Sequence, residues 1–579
     1  MTNEASTVKV SDADEIMVLL KIFVYEDPAA ALPRLDQEFD ALSTDFDTLF
    51  QRHAALHREL YQRTCFELDS PAGDTPNEAL LLQAYDGEAP LELVEKMANY
   101  GRYLLICSSS PAGIPSNLQG IWNGDYQPPW LCFFMINENL QMNYWQALPG
   151  QIPEMLLAVV DFYTSFMEDF RENARKLYGC RGIFIPALVS PETGISTFSG
   201  SWIINWISGA GWLAQHFYDY YLFTGDRDFL VRRALPFMKE IADFYEDFLV
   251  PDENGKWLFC PSVSPENWPS EFNNPALRSE TSGAPRITYN ATMDVAVARE
   301  LLRNLIDGCE ECGLYAELLP GWYAMLDKLP AYRVNGDGAA AEWLHDDFSD
   351  NYHHRHQSHL YPVFPGNEID SAKQPELFRA FKTAVDKRLV IGMAQQTGWS
   401  LSHMANINAR FGDGDQAAAC LDIIARTCLG KNFFTYHNDY RGMGITMNDC
   451  CFNGVTPFQI DANMGWTAAV YEMLLFSAPG YLRLLPALPR RWRKGRITNL
   501  GARGRVGVDI SWDLNAGLIE YFLRCPSGRT LELDFPDYPG SMMEFVRPAE
   551  ISKTGPLRYQ IIFTAGTEYG IRQRFPGLN

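Results

Sequence analysis

The sequence predicts a mainly α-helical protein, a toroid of helical hairpins, with a small C-terminal β-domain and a short β remnant at its start. Three observations carry this. Helical periodicity dominates from about residue 78 to 478, is lost after Pro486-Ala-Leu-Pro489, and is preceded by a β-branched run at 8–25. In the 152–172 segment, Ile152, Met155, Leu156, Val159, Phe162, Tyr163 and Phe166 keep the three-and-four spacing of a buried helical face. The same pattern recurs at 91–107, 207–224, 228–249, 290–312, 374–387, 398–411, 415–428 and 462–477. Long aromatic and Gly/Pro-rich loops join these segments, and loops of that length are usually functional.

In chain order, residues 1–33 read as a β remnant built on two strands within 8–25, and 34–77 as a polar helical linker. Residues 78–480 form the helical toroid and 481–579 a β-domain. Val506–Trp512, Leu518–Leu523 and Tyr559–Thr564 alternate or run β-branched between Gly-containing turns, as strands do.

A chain of 579 residues exceeds one ordinary core, so two or three domains are expected. Its 47% hydrophobic content excludes disorder. The formal charge of −24 disfavours nucleic acid and anionic membranes, which require clustered Lys and Arg. The first residues lack a basic segment followed by an apolar one, and no run of eighteen apolar residues occurs, so the reading is a cytoplasmic protein without a membrane span. Cys309-Glu-Glu-Cys312 and Cys450-Cys451 lack a second pair at zinc-ribbon spacing, and reduced thiols are expected.

The chemistry-bearing segments suggest a sugar site. Met135–Trp145 packs Asn137, Asn139 and Asn143 beside Tyr144 and Trp145. Amides offer two donors and an acceptor for hydroxyls and water, and flat rings suit the C–H faces of a sugar. Glu266, in Ser264-Pro-Glu-Asn267, sits beside proline and tryptophan, where desolvation favours the neutral acid a general acid needs; a solvent-exposed turn glutamate is the alternative. Asp461, in Phe458-Gln-Ile-Asp-Ala-Asn463, precedes an apolar helix and either caps it or is buried against a partner such as an asparagine amide. His353-His-Arg-His-Gln-Ser-His359 offers Arg355, His356 and His359 as hydroxyl ligands; without a Glu at metalloprotease spacing no metal is expected. Thr397-Gly-Trp399-Ser400 reads as a helix start lining a cavity, and Asp294 as structural.

Nine collinear segments over about residues 100–510 together resemble glycoside hydrolase family 95, the inverting α-L-fucosidase family. They are Asn117-Leu-Gln-Gly-Ile-Trp122-Asn123, Asn137–Trp145, Phe223–Asp226, Ser264–Asn267, His354–His359, Pro365–Asn367, Thr397–Ser400, Pro457–Asp461 and Leu484–Pro489. The resemblance implies an (α/α)₆ barrel flanked by β-domains, and an exo-acting hydrolase of terminal α-1,2-linked L-fucose on an oligosaccharide or glycoconjugate, without cofactor. It implies that Glu266 protonates the departing oxygen, that Asn137 and Asn139 hold the attacking water, and that Asp461 polarises the amide. Trp122, Asn143, Trp145, Arg355, His356, His359 and Trp399 are then expected to bind substrate. The chain departs from the family in two places. Of the family's large N-terminal β-sandwich only the strand pair read at 8–25 is matched, as expected of a shortened variant or of a sequence that begins late, and Gly182–Glu192 stands where a His-His-Asn-Thr-Asp type segment is expected, which leaves α-L-galactosides and other L-sugars open as substrates. A polysaccharide lyase and a non-catalytic carbohydrate-binding protein are the readings from other classes; the oligomeric state is left open.

Overall fold

The computed structural model describes residues 2–4, 7–21, 27–70, 73, 75–111, 113–198, 200–273, 287–448, 455–546 and 550–578. Two compact units emerge, Met1–Gln62 and Arg63–Asn579. In the first, strands Thr2–Glu4 and Thr7–Lys9 pair antiparallel, followed by helices Pro28–Asp40 and Phe46–Tyr61. Asp27 and Asp45 cap these helices by accepting from Ala29 N at 3.0 Å and Thr48 N at 2.9 Å. The two strands expected within 8–25 are therefore corrected: residues 10–21 are not strand, and residues 22–25 lie outside the described residues.

In the second unit the periodic segments are helices at nearly the predicted bounds. Leu91–Ser108 packs on Asp461–Leu474, which packs on Gly398–Arg410, which packs on Gly414–Thr427. Asn77–Tyr85 bridges the last of these back to Leu91–Ser108. On the other side, Pro153–Ser165 packs on Gly209–Thr224, and that helix on Leu235–Phe248 and Thr292–Cys312. Leu319–Asp327 completes this group against Thr292–Cys312. No helix of the described residues is long and apolar enough to cross a membrane. Cys309 and Cys312 are free thiols on one helix, and Cys450-Cys451 lies outside the described residues.

The helix Asp461–Leu474 is gripped closely on two sides. A Cβ on Gly101 would collide with the carbonyl oxygen of Asn463 and Oγ1 of Thr467, and one on Gly465 would meet Ser402 and Met142. Thr467 Oγ1 donates to Ala98 O at 2.7 Å across the first contact. Alanine at position 101 would gain about 1 kcal/mol of helix propensity. The collision is with rigid backbone, however, and overpacking costs about 1–3 kcal/mol. Gly101→Ala is expected to lower the urea midpoint of unfolding; an unchanged midpoint would show that the helices can part freely.

Beyond Leu474 the chain enters two sheets. The larger runs Met542–Phe545, Thr567–Arg574, Leu518–Cys525, Val506–Asp513, Lys494–Ala502 and Cys65–Leu68, all antiparallel. The smaller runs Glu550–Lys553, Arg558–Phe563, Arg529–Asp534, Tyr481–Leu484 and Leu475–Ala478, with one parallel pairing, between Arg529–Asp534 and Tyr481–Leu484. Burial alternates along Leu518–Cys525, the period-two signature of a strand with one face on the core. Cys65–Leu68 corrects the linker expected over 34–77, because it pairs with Lys494–Ala502, more than four hundred residues on. That pairing is non-local and leaves no trace in local periodicity. One apolar core joins the sheets to the helices, with Phe66 against Trp492 and Trp512 Nε1 donating to Trp492 O at 2.8 Å.

Candidate active site

Helix starts and the loops before them converge on one region. Asn139 and Asp461 are each the first residue of a helix, and Trp399 is the second residue of Gly398–Arg410. The last helix opens with a reciprocal cap, in which Thr397 N donates to Ser400 Oγ at 2.8 Å and Ser400 N to Thr397 Oγ1 at 3.3 Å. Strand Phe134–Met135 pairs with Leu188–Val189, and Ile136 N donates to Ala187 O at 3.0 Å, fixing the backbone just ahead of Asn137. Residues 187–189 therefore brace the asparagine turn.

Glu266 is the hub of the first cluster. Arg355 Nη2 donates to its Oε2 at 2.6 Å, Asn137 Nδ2 to Oε1 at 3.3 Å, and His356 Nε2 stands 3.9 Å from Oε1. The Glu266 side chain is 17% exposed, so it is neither the solvent-exposed turn glutamate of the alternative reading nor fully enclosed. His356 stacks edge-on against Trp399, ring centres 4.6 Å apart. Trp399 in turn packs with Met142 and Ala462, which leads to the second cluster.

There Asn139 Nδ2 donates to Asp461 Oδ2 at 2.6 Å. Ala462 N supports the other oxygen at 2.7 Å. Asp461 is fully buried. Burial is the largest influence on its carboxyl and, against the Asn139 and Ala462 hydrogen bonds, pushes its pKa up to about 7, with the Glu138 carboxylate adding in the same direction. In both pairs the asparagine turns its NH₂ toward the acid and its oxygen the other way. Asn137 Oδ1 is buried and, among the described residues, has no hydrogen-bond partner. Such an orphaned acceptor is costly unless water or a ligand meets it.

Two buried acids hold the Glu266 loop from behind. Asp294 accepts from Ser208 Oγ and Ser262 Oγ, each at 2.5 Å, and from Val263 N at 3.3 Å; burial raises its pKa to about 7. Its structural reading stands. Glu342 accepts from Ser264 Oγ and Asn267 Nδ2, both at 2.7 Å, the polar residues on either side of Glu266 in its motif. The sequence reading missed Glu342. Its signal was an isolated acid between Ala339-Ala-Ala341 and Trp343, a setting in which a carboxylate needs buried partners. It also gave no role to Glu138, whose Oε1 lies 3.0 Å from His403 Nδ1, with both side chains buried.

The remaining candidates divide. Trp122 packs edge-on against Phe434, 5.6 Å between centres, on a loop tied to the barrel by Ile460 N donating to Leu118 O at 3.0 Å. Three residues expected to contact substrate make contacts within the protein. Asn143 is wholly buried and gives its amide hydrogens to the carbonyls of Ser116 and Asn117, each at 3.1 Å, so it braces the Trp122 loop. His359 is buried, and desolvation first, then Arg388 and His403, hold it neutral with a pKa well below the usual value. Trp145 faces Phe364 and His403 at 4.6 and 5.4 Å. Of the other histidines, His353 is exposed and His354 stacks on His356, 5.4 Å between centres. Among the described residues no group of three or more His, Cys, Asp or Glu is arranged to hold a metal ion.

Comparison with known proteins places this geometry in a family. Residues 45–474 match the profile described as "Glycosyl hydrolase family 95 catalytic domain", and residues 476–571 match "Glycoside hydrolase family 95, C-terminal domain". "Alpha-L-fucosidase 2" of Arabidopsis thaliana is 34% identical over 491 residues, covering 83% of this chain and 55% of that protein. "Probable alpha-fucosidase A" of Aspergillus niger is 25% identical over 509 residues, covering 83% of this chain and 60% of its own length. The chain thus spans little more than half the length of these curated relatives. Among solved structures, "Putative kojibiose phosphorylase from human microbiome" superposes with a TM-score of 0.60 at 11% identity, covering 96% of this chain and 74% of that one, which supports the helical-barrel fold. With a catalytic-domain profile spanning most of the sequence and the conserved-domain order of barrel then β-sandwich, the chain belongs to glycoside hydrolase family 95.

Proposed function

We propose that the protein is an inverting exo-glycosidase that hydrolyses a terminal α-L-fucosyl residue, or a closely related L-sugar, from an oligosaccharide or glycoconjugate. The observation that carries this reading is the pairing of each asparagine amide with its own carboxylate, Asn137 with Glu266 and Asn139 with Asp461. Glu266 is the proton donor to the departing glycosidic oxygen. Its Oε2 is engaged by Arg355, and Oε1, with the longer bond to Asn137, is the better placed to hold a transferable proton. The amide oxygens of Asn137 and Asn139 hold the attacking water. An amide oxygen is a weak base, and the Asp461 carboxylate on the Asn139 N–H side stabilises the positive charge that builds as the water gives up its proton. Arg355, 21% exposed, and the half-buried ring of Trp122 keep surface with which to meet the sugar, while the buried His356 and Trp399 back the site. The names of the curated relatives support fucose as the sugar.

Inversion requires water to enter opposite the leaving group, so the acid and the water-holding groups must flank the sugar. Proton NMR of an α-L-fucoside digest is expected to show the β-anomer first, with the α-anomer appearing by later mutarotation. An α-anomer as first product would eliminate inversion. Running aryl α-L-fucoside beside aryl α-L-galactoside decides the sugar, and sugar binding without turnover of either would favour a non-catalytic role.

A further inference from the structure

We infer that the buried Glu342–Arg388 pair positions the proton donor by fastening the loop that carries Glu266 to the loop that carries Arg355. This rests on the reading of Glu266 as that donor. Both side chains of the pair are buried from solvent, and Arg388 Nη2 donates to Glu342 Oε2 at 2.6 Å. From Glu342 the network reaches forward through Ser264 and Asn267, which bracket Glu266 in the chain. From Arg388 it reaches the other loop: Nη1 donates to His354 O at 3.0 Å, and Gln396 Nε2 donates to the same carbonyl at 3.1 Å. His354 immediately precedes Arg355, whose guanidinium meets the Glu266 carboxylate at 2.6 Å. A further strap joins the loops directly, as Ser358 Oγ donates to Pro265 O. The circuit therefore closes from Glu266 through Arg355, the His354 carbonyl, Arg388 and Glu342 back to the residues around Glu266.

Stability alone does not call for such a pair, because desolvation of two charges offsets much of their attraction and an apolar pair of similar volume often holds a fold as well. What the pair contributes is direction. Glu342 uses both carboxylate oxygens and its own N–H, which donates to Asp350 Oδ1 at 2.8 Å, so its orientation is fixed from three sides. It has no exposed surface through which to meet a sugar, which makes it a positioning residue. A displaced donor matters only when the leaving group needs a proton.

The test therefore compares two leaving groups, a sugar hydroxyl in a fucosylated disaccharide and dinitrophenolate in an aryl α-L-fucoside, in wild type, Glu342→Gln and the apolar double variant Glu342→Leu/Arg388→Met. The double variant removes the buried charges together and keeps a folded reference should the single variant fail to fold. In folded protein, verified by thermal melting, kcat/KM for the disaccharide is expected to fall roughly 10-fold to 100-fold while that for the dinitrophenyl substrate stays near wild type. Equal losses on both substrates, or none on either, would overturn the positioning role. Glu266→Ala is the reference. If it shows the leaving-group contrast and the Glu342 variants do not, only the inference falls. If it too lacks the contrast, the donor assignment falls with it.

Discussion

Glu266→Ala is expected to lower kcat/KM for a natural fucosidic linkage by about 10²–10⁴-fold, the usual worth of a general acid, while a dinitrophenyl fucoside is cleaved at close to the wild-type rate. The contrast follows from where the proton is needed. A sugar alkoxide is a poor leaving group and departs only as it is protonated, whereas dinitrophenolate leaves as the anion. The variant should fold, because Glu266 is partly exposed and Arg355 is 21% exposed, so the guanidinium keeps access to water when its counter-ion is removed. Steady-state kinetics on the two substrates at matched pH measures the effect. A uniform loss on both would mean that the side chain shapes the pocket instead of donating a proton.

Much of this arrangement was legible before any coordinates. Helices such as Leu91–Ser108 and Leu235–Phe248 announced themselves because each buries one stripe, and a 3.6-residue period is a local property, whereas Gly398–Arg410 and Asp461–Leu474 are buried on nearly every face. Thr397 and Ser400 likewise marked a helix start through their own side chains. The strand Cys65–Leu68 did not show, since its partner lies across the whole barrel in sequence. Within the site, residue type located the asparagines but could not say which way each faces. Asn137 and Asn139 turn their NH₂ groups to carboxylates, whereas Asn143, four residues further on, spends its own on two backbone carbonyls. The same side chain pairs with a carboxylate in two cases and braces a loop in the third, and only direction separates them. Glu342 was hidden for a related reason: its partner Ser264 is 78 residues away, and an isolated acid in an apolar stretch does not name its partner.

Asp461→Asn is expected to cost about 10²–10⁴-fold in kcat and to remove the acid limb of the pH–rate profile. In the wild type, burial raises this carboxyl to about 7, so the ionised form proposed to polarise Asn139 is lost as pH falls through neutrality and activity is expected to fall with it. Stability runs the opposite way. The folded state holds a proton on Asp461 that the unfolded chain, titrating near 3.8, has already released. This contribution is fully present below the unfolded value and is lost as pH rises through the folded one. Asparagine does not titrate, so the melting temperature of Asp461→Asn relative to wild type should climb from about pH 4 to about pH 7 and then level off. Calorimetry at a series of pH values checks this independently of turnover. A flat difference across that window would show that Asp461 ionises at its ordinary value, and a carboxylate already charged at pH 5 could not give rise to an acid limb near 7.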